Sequence, residues 1–424
     1  MPHTVYAAAH AHPQDPQKRP PVMAVLELSD DGTALTQLQQ IELPDGTAMP
    51  MFQALSTCGS TLYTIAGPLG ILAYGVDPHD SGRFLEGKAP ASFLTALPAP
   101  RVTIEGQPED SAPGGAGPCH IRFDTTGDVL LCANYEAGSI ASLVVEDKAT
   151  GALGPPAVAA HGPAGAEAGV AGSRQDAAHP HGVFVDPSNR WLVAADLGTN
   201  CLHTYKFEPA AAGSFSSAAN LVSRTVMHKG AGPRHVGFAP SGSACFVVNE
   251  LDSTVTALSF DPSSGAMAPL TTLHTVPPEW VASSPPLPFD FYSSPSHAAG
   301  LAVSPDGKHV YVTNRGHDSV AGFAITGSTG GDAITPTAQG ATPSGGRLPW
   351  TITFVSDTLV LVSNQYLADP EAVRGGGEGA DPKRIAPVPS DPGNVTVFQR
   401  DPVSGSLTPT GAVWEAPHVM SATV

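Results

Sequence analysis

The apolar positions of this chain come in short alternating runs, paired across turns and repeated along its length. Residues 233–250 hold one such pair, PRHVGF and ACFVVN, on either side of Pro240-Ser241-Gly242. Apolar/polar alternation over a short run marks a half-buried strand, and Pro-Ser-Gly between two runs marks a turn. In an antiparallel hairpin the start of one strand lies beside the end of the next. Arg234, His235 and Glu250 are therefore expected together at one edge.

The unit recurs. Pro50 begins PMFQALSTCGSTLYTIAG, Pro118 begins PCHIRFDTTGDVLLCANY, and Pro180 begins PHGVFVDPSNRWLVAADL. Ser296 begins SHAAGLAVSPDGKHVYVTNR, and Pro349 begins PWTITFVSDTLVLVSNQ. A third strand follows each, such as GSIASLVVE or DSVAGFAI, and usually a fourth after a turn such as DPVSGSLTPT. The six units lie roughly 50–70 residues apart, a β periodicity of propeller blades rather than of a sandwich or a helical solenoid. No segment sustains a 3.6-residue apolar period, so almost no helix is expected. Residues 4–43 supply three strands without a first, and residues 416–424 supply a first strand with nothing after it. Placing the last strand innermost in the N-terminal blade gives seven blades and closes the ring, which removes open sheet edges. The expected fold is all-β, a single domain over 1–424. It is a seven-bladed β-propeller of four-stranded antiparallel blades, closed by the C-terminal strand. Insertions near 103–116, 159–178, 275–295 and 367–392 are rich in Gly, Pro, Ala and Ser and read as loops on one face, where sites are commonly built. Trp280, Phe289, Phe291 and Tyr292 make 275–295 a packed lid or rim.

The net charge of −18 argues against nucleic acid and, less strongly, against anionic membrane surfaces. The five cysteines are odd in number, scattered and without a CxxC, so they read as free thiols of a reducing compartment. The N-terminal MPHTVYAAAHAHPQ has neither a basic segment nor a long apolar run, and a cytoplasmic protein is expected. Lys and Arg number only 20, yet Arg234 and Arg315 fall at matching blade positions, with Arg347 close to one. His120, His181, His235, His297, His317 and His418 recur there too. Cations and imidazoles gathered at one mouth of an acidic protein point to an anionic ligand. Arginine's planar fork suits phosphate or carboxylate. Plainer readings stand beside this one. Arg234 and Glu250 could form a structural salt bridge. The Pro-x-His repeat could be architectural, above all at His120, His235 and His418. Asn134, Asp196, Asn249, Asn314 and Asn364, which end second strands, could make turns. The histidines lack zincin spacing, so no metal and no cofactor is expected, and no GxSxG elbow supplies a serine nucleophile.

GPCHI, HPHGV, GPRHVGF, ANYEAGS, ADLGTN, NELDSTV and NRGHDSV resemble the repeat signatures of the seven-bladed propeller lactonases. That family includes bacterial-type 6-phosphogluconolactonases and fungal carboxymuconate cycloisomerases. The likeness covers 115–330 well and is weaker over 1–100 and 345–424. It implies an active site lined by His181, Arg234, Glu250 and Arg315. One departure is Gly300, where many members carry a glutamate. The resemblance implies hydrolysis of an anionic sugar lactone, 6-phosphogluconolactone, in the pentose phosphate pathway. The protein is expected to be a monomer or weak homo-oligomer whose partner is this small molecule. The general base is His181 or Glu250, with His181 favoured and Glu250 orienting it or Arg234. Arg234 or Arg315 holds the oxyanion and the other holds the substrate's phosphate or carboxylate. His120, His179, His235, His297, His317 and Arg347 are expected to contact substrate. The alternatives are a carboxymuconate cycloisomerase and a non-catalytic propeller binding a sugar acid or a protein.

Overall fold

A computed structural model of the chain describes residues 2–10, 19–67, 70–77, 83–84, 117–148, 151–161, 174–215, 220–287, 294–326, 334–367 and 392–424. The insertion at 103–116, residues 368–391 of the last insertion, and Phe289, Phe291 and Tyr292 lie outside them.

The described residues form seven antiparallel sheets arranged as blades. The first blade contains β1 (His3–Ala9), β2 (Val22–Leu28) and β3 (Leu35–Glu42). The second contains β4 (Gln53–Leu55), β5 (Thr61–Ile65), β6 (Ile71–Asp77) and β7 (Arg83–Phe84). In the third, β8 (Pro118–Phe123), β9 (Val129–Asn134) and β10 (Ser139–Asp147) are followed by a split outer strand, β11 (Ala152–Leu153) and β12 (Ala157–Ala160). Pro155 and Pro156 sit at the split, where two residues without N–H groups cannot continue the ladder. The fourth blade has β13 (Pro180–Val185), β14 (Trp191–Asp196), β15 (Cys201–Lys206) and β16 (Leu221–Val226). The fifth has β17 (Pro233–Phe238), β18 (Ala244–Asn249), β19 (Thr254–Phe260) and β20 (Met267–His274). The sixth has β21 (His297–Val303), β22 (His309–Arg315), β23 (Ser319–Ile325) and β24 (Ile334–Pro343). The seventh has β25 (Gly346–Phe354), β26 (Leu359–Leu367), β27 (Pro392–Arg400) and β28 (Leu407–Pro417), and β29 (Val419–Thr423) follows it.

β29 pairs with β1, so the C-terminal strand is innermost in the first blade and closes the ring as expected. One detail differs from the sequence reading. Pro417 ends β28 rather than opening the last strand, and His418, at φ 43°, makes the turn between them. The 275–295 segment is not all loop: Pro278–Ser283 forms a short helix, α1, with proline in its first turn. Among the described residues no helix is long and apolar enough to cross a membrane.

The second strands explain the uninterrupted apolar runs. Each is flanked in its own sheet and covered on both faces by neighbouring blades, so β14, β18 and β22 are buried at every position. Each junction between adjacent blades holds its own core. Val5, Leu26 and Leu28 meet Leu361, Val397 and Trp414 where the seventh blade joins the first. Val183, Leu192, Ala194 and Tyr205 meet Leu131 and Ile140 between the third and fourth.

The ring therefore depends on a short segment. Val419, Met420, Ser421 and Ala422 are at most 4% exposed, and burying an apolar side chain of that size is worth about 1.5–3 kcal/mol. Ending the chain after Pro417 is expected to lower unfolding free energy by several kcal/mol and expose the edge of β1. Chemical denaturation with light scattering would detect both effects. An unchanged midpoint without aggregation would show that the ring closes without β29.

Candidate functional site

The site is built from a device repeated around the ring. Where the first strand of a blade pairs with the second, the register slips just after the opening residue. In the third, fourth, fifth and seventh blades the slip falls between Pro118 and His120, Pro180 and Gly182, Pro233 and His235, and Pro349 and Thr351. In β21 it falls between Ala298 and Leu301, and in β29 between Val419 and Ser421. Proline has no N–H to give the ladder, and a bulge re-aims the side chain of the extra residue. The extra residues are Cys119, His181, Arg234, Ala299 with Gly300, Trp350 and Met420. The same backbone irregularity thus presents a different side chain from each blade.

The bulged residues of two blades, His181 and Arg234, meet at Glu250. Pro233 pairs with Asn249, and the Glu250 N–H donates to Gly232 O at 2.7 Å, which puts Glu250 beside Arg234 as the hairpin rule requires. Glu250 is fully buried. Its Oε2 lies 3.1 Å from Arg234 Nε and 3.4 Å from His181 Nε2. Its Oε1 lies 2.9 Å from an Arg315 terminal nitrogen and accepts a 2.6 Å hydrogen bond from Arg174. Arg315 ends β22, opposite His297. The four residues that the sequence singled out as catalytic are thus one cluster, drawn from the fourth, fifth and sixth blades.

The two inner arginines are fixed from several sides. Arg234 donates to Ala299 O at 2.9 Å, and Arg315 donates to His297 O at 3.1 Å and Ala298 O at 3.2 Å. The Ala299 carbonyl lies in the bulge of β21, whereas His297 and Ala298 precede it in register with β22. The Trp350 ring faces both guanidinium groups, 5.1 Å from Arg234 and 4.7 Å from Arg315, within cation–π range. Gly300 has a packing reason. A Cβ there would lie 3.1 Å from backbone atoms of Trp350, Thr351 and Ile352, so β25 packs closely over this position.

Three guanidinium charges surround one carboxylate, a local sum of +2 if the imidazole is neutral. Burial by itself would raise the pKa of Glu250. Arg174, Arg315, His181 and Arg234 outweigh it and hold the carboxyl well below its usual range. His181 is pushed well below the usual histidine value, by burial first and Arg234 second, with Glu250 opposing. The cluster therefore holds a fixed anion, three cations and a neutral imidazole at neutral pH.

The remaining expected residues separate by position. His179 stacks on Tyr135 at 4.4 Å and 15°, and Tyr135 meets His181 edge-on at 5.2 Å. His120 and His235 pack with Phe52 and Phe184 in an aromatic cluster beside His181, and burial first holds both well below the usual pKa. His297 is buried and supports Arg315 through its carbonyl. His317 hydrogen-bonds Ser319 Oγ at 2.7 Å and meets Trp280 of α1 edge-on, while Arg347 approaches Asp318 at 4.0 Å. Four of the Asx residues that end second strands brace the turn that follows: Asn134, Asn249 and Asn314 donate to the hydroxyls of Ser139, Thr254 and Ser319, and Asp196 accepts from the Thr199 backbone. Asn364 instead donates to Ser344 O, and Asp196 also accepts from the His179 backbone.

Among the described residues, His161, Asp196 and His203 bring possible metal ligands within 4.8 Å of one another. The two rings stack at 4.0 Å and 8°, so their lone pairs lie in parallel planes and do not converge. His161 instead hydrogen-bonds Asp196 Oδ2 at 2.5 Å, which braces the carboxylate that anchors His179.

Three residues of the cluster were not read from the sequence. Arg174 lies in an insertion that reads as low-complexity loop, Tyr135 within the ANYEAGS repeat, and Trp350 one residue into an apolar strand. The available signals were the scarcity of arginine and the position of Trp350 after a blade-opening proline, which matches His181 and Arg234.

The family model for the lactonases with a seven-bladed β-propeller matches residues 18–369. A 6-phosphogluconolactonase of Bacillus subtilis is 29% identical over 301 residues, 69% of this chain and 69% of that protein. A 6-phosphogluconolactonase of Cronobacter sakazakii is 27% identical over 333 residues, 77% of this chain and 78% of that one. Among solved structures, the periplasmic gluconolactonase of Pseudomonas aeruginosa matches with a TM-score of 0.69 at 20% identity, over 99% of this chain and 98% of that chain. That last likeness is one of fold.

Glu250→Gln removes the only carboxylate charge of the cluster and leaves the inner guanidinium groups buried against a neutral amide. Breaking a buried ion pair from one side typically costs about 3–5 kcal/mol. Denaturant unfolding of the variant is expected to show a loss of that order. A loss below about 1 kcal/mol would mean that the arginines find other partners.

Proposed function

Because the chain belongs to the family of seven-bladed β-propeller lactonases, we propose that it hydrolyses an anionic sugar lactone, 6-phosphogluconolactone, to 6-phosphogluconate. The lactone-hydrolase class rests on the family together with relatives named 6-phosphogluconolactonase, which support it over the cycloisomerase and non-catalytic readings. The observation that carries the choice of an anionic substrate is the cluster around Glu250, where three guanidinium groups outnumber one carboxylate beside a neutral imidazole. Two relatives named 6-phosphogluconolactonase support the phosphorylated substrate and with it a step of the pentose phosphate pathway. The cysteines, free among the described residues, support a reducing compartment such as the cytoplasm.

Glu250 is a poor base, since protonating it would strip three guanidinium groups of their partner. His181 is the better one. In this scheme its unprotonated nitrogen takes a proton from water as the water oxygen bonds to the lactone carbonyl carbon. Glu250, 3.4 Å away, steadies the imidazolium that forms. Arg234 and Arg315 lie where positive charge can offset the tetrahedral oxyanion. Collapse of that intermediate breaks the bond to the ring oxygen. The imidazolium returns its proton to that oxygen, leaving a hydroxy acid and the neutral imidazole.

With spontaneous hydrolysis subtracted, wild-type protein is expected to accelerate 6-phosphogluconolactone hydrolysis, and His181→Asn to lose about 10²–10⁴-fold in rate. No rate above background on this lactone or on gluconolactone would overturn the assignment. The pH profile gives a second check. A base must be unprotonated, so activity falls as pH drops through its pKa. Because the His181 pKa is depressed, kcat/KM should stay level from pH 8 to below 6.5 before falling. The substrate phosphate titrates near pH 6, so its own profile is measured separately. A limb centred at 7 or above would exclude His181 as this base.

A further inference from the structure

We propose that Arg174 is the residue that selects a phosphorylated lactone, leaving Glu250 to bind the substrate's phosphate while Arg234 and Arg315 stay in place. This rests on the reading of the protein as a lactonase for an anionic sugar lactone, and it assigns the phosphate to a residue outside the blades.

The three arginines differ in exposure. Arg234 is fully buried and Arg315 is 1% exposed. Both donate to backbone carbonyls of β21, and both face the Trp350 ring. Moving either would strand those carbonyls inside the protein at a cost of about 1–3 kcal/mol for each unsatisfied group. The side chain of Arg174 is 22% exposed. It reaches the cluster from the connection between the third and fourth blades rather than from a strand. Its departure leaves no bare charge, because Glu250 Oε1 keeps Arg315 at 2.9 Å and Oε2 keeps Arg234 at 3.1 Å.

The backbone beneath Arg174 is fixed. Its φ of 60° lies in the left-handed region, which a side-chain-bearing residue adopts only when its surroundings impose it. The next residue supplies the constraint. Gln175 is buried, and its amide donates to Leu197 O at 2.9 Å and Asn200 Oδ1 at 3.0 Å. Asn200 Oδ1 also accepts from Gly232 N at 3.0 Å, two residues before Arg234. The pivot of Arg174 is therefore tied to the strand that carries Arg234.

Charge completes the argument. A phosphate monoester carries about −1.5 to −2 near pH 7, which matches the +2 of three guanidinium groups and one carboxylate. Gly300 matters here. A carboxylate at that position would have lowered the sum, and β25 packs closely over the glycine that stands there.

The test compares wild type, Arg174→Ala and Arg174→Lys on 6-phosphogluconolactone and gluconolactone, and measures calorimetric binding of 6-phosphogluconate and gluconate. Hydrogen bonds to charged groups support an expected rise of about 10- to 100-fold in KM for the phosphorylated lactone in Arg174→Ala, with kcat within about threefold. KM for gluconolactone should change less than about threefold. Arg174→Lys should recover part of the loss, since it restores the charge without the fork. 6-Phosphogluconate should bind more weakly to Arg174→Ala, and gluconate binding should not respond. Equal losses on both lactones, or a fall in kcat alone, would overturn the assignment while leaving the lactonase reading intact. A wild type that hydrolyses neither lactone yet binds 6-phosphogluconate through Arg174 would overturn the proposed reaction and support the phosphate site.

Discussion

One buried carboxylate sets the terms for this site. Glu250 has no exposure, so it keeps its charge only because guanidinium groups lie within about hydrogen-bond distance of both oxygens. The dependence runs both ways. Arg234 and Arg315 are buried cations that the surrounding strands could not hold without that anion. Since Arg234 comes from the first strand of the fifth blade and Arg315 from the second strand of the sixth, the cluster also fixes the spacing of those blades at the mouth. Apolar cores fill the junctions, but they do not specify which charged groups meet.

The ring supplies repetition and the bulges supply difference. Every blade uses the same hairpin, and six of the seven first strands slip register near their start. In the third blade the re-aimed residue is Cys119, buried 3.9 Å from His181 Nδ1 and pushed far up in pKa by burial. In the fourth it is the imidazole, in the fifth a guanidinium, and in the seventh an indole that faces two guanidinium groups. Local strand geometry is therefore conserved around the ring while the chemistry changes from blade to blade. The sixth blade uses its two extra residues differently. Ala299 turns a carbonyl toward Arg234, and Gly300 lets β25 approach.

The parts of this arrangement that were legible in the sequence are those governed by periodicity. Alternation located the strands, and hairpin register placed Arg234 beside Glu250. The unpaired strands at the two ends implied the closure that β29 makes with β1. What was not legible depends on distance between blades. Arg174 sits in a Gly- and Ala-rich stretch, and nothing local marks it. It becomes part of the site because Gln175 and Asn200 dock that stretch against the neighbouring blade. His120 and His235 stand two residues after the blade-opening proline and pack against Phe52 and Phe184. His181 follows its proline directly and so holds the bulged position that Arg234 holds in the next blade, a difference of one place that the repeated histidines obscure.

The same neighbours create a tension that bears on mechanism. The cations that attract an anion also depress the His181 pKa, and a weakly basic imidazole is a sluggish proton acceptor. In the proposed reaction an anionic substrate would relieve this in the right direction: a phosphate close to the guanidinium groups would offset part of their field and raise the pKa of His181. Arg174 contributes to the depression and Glu250 opposes it. In the proposed scheme Arg174 adds affinity for a phosphorylated lactone, while His181 and Glu250 keep Arg234 and Arg315 beside them whichever lactone is bound.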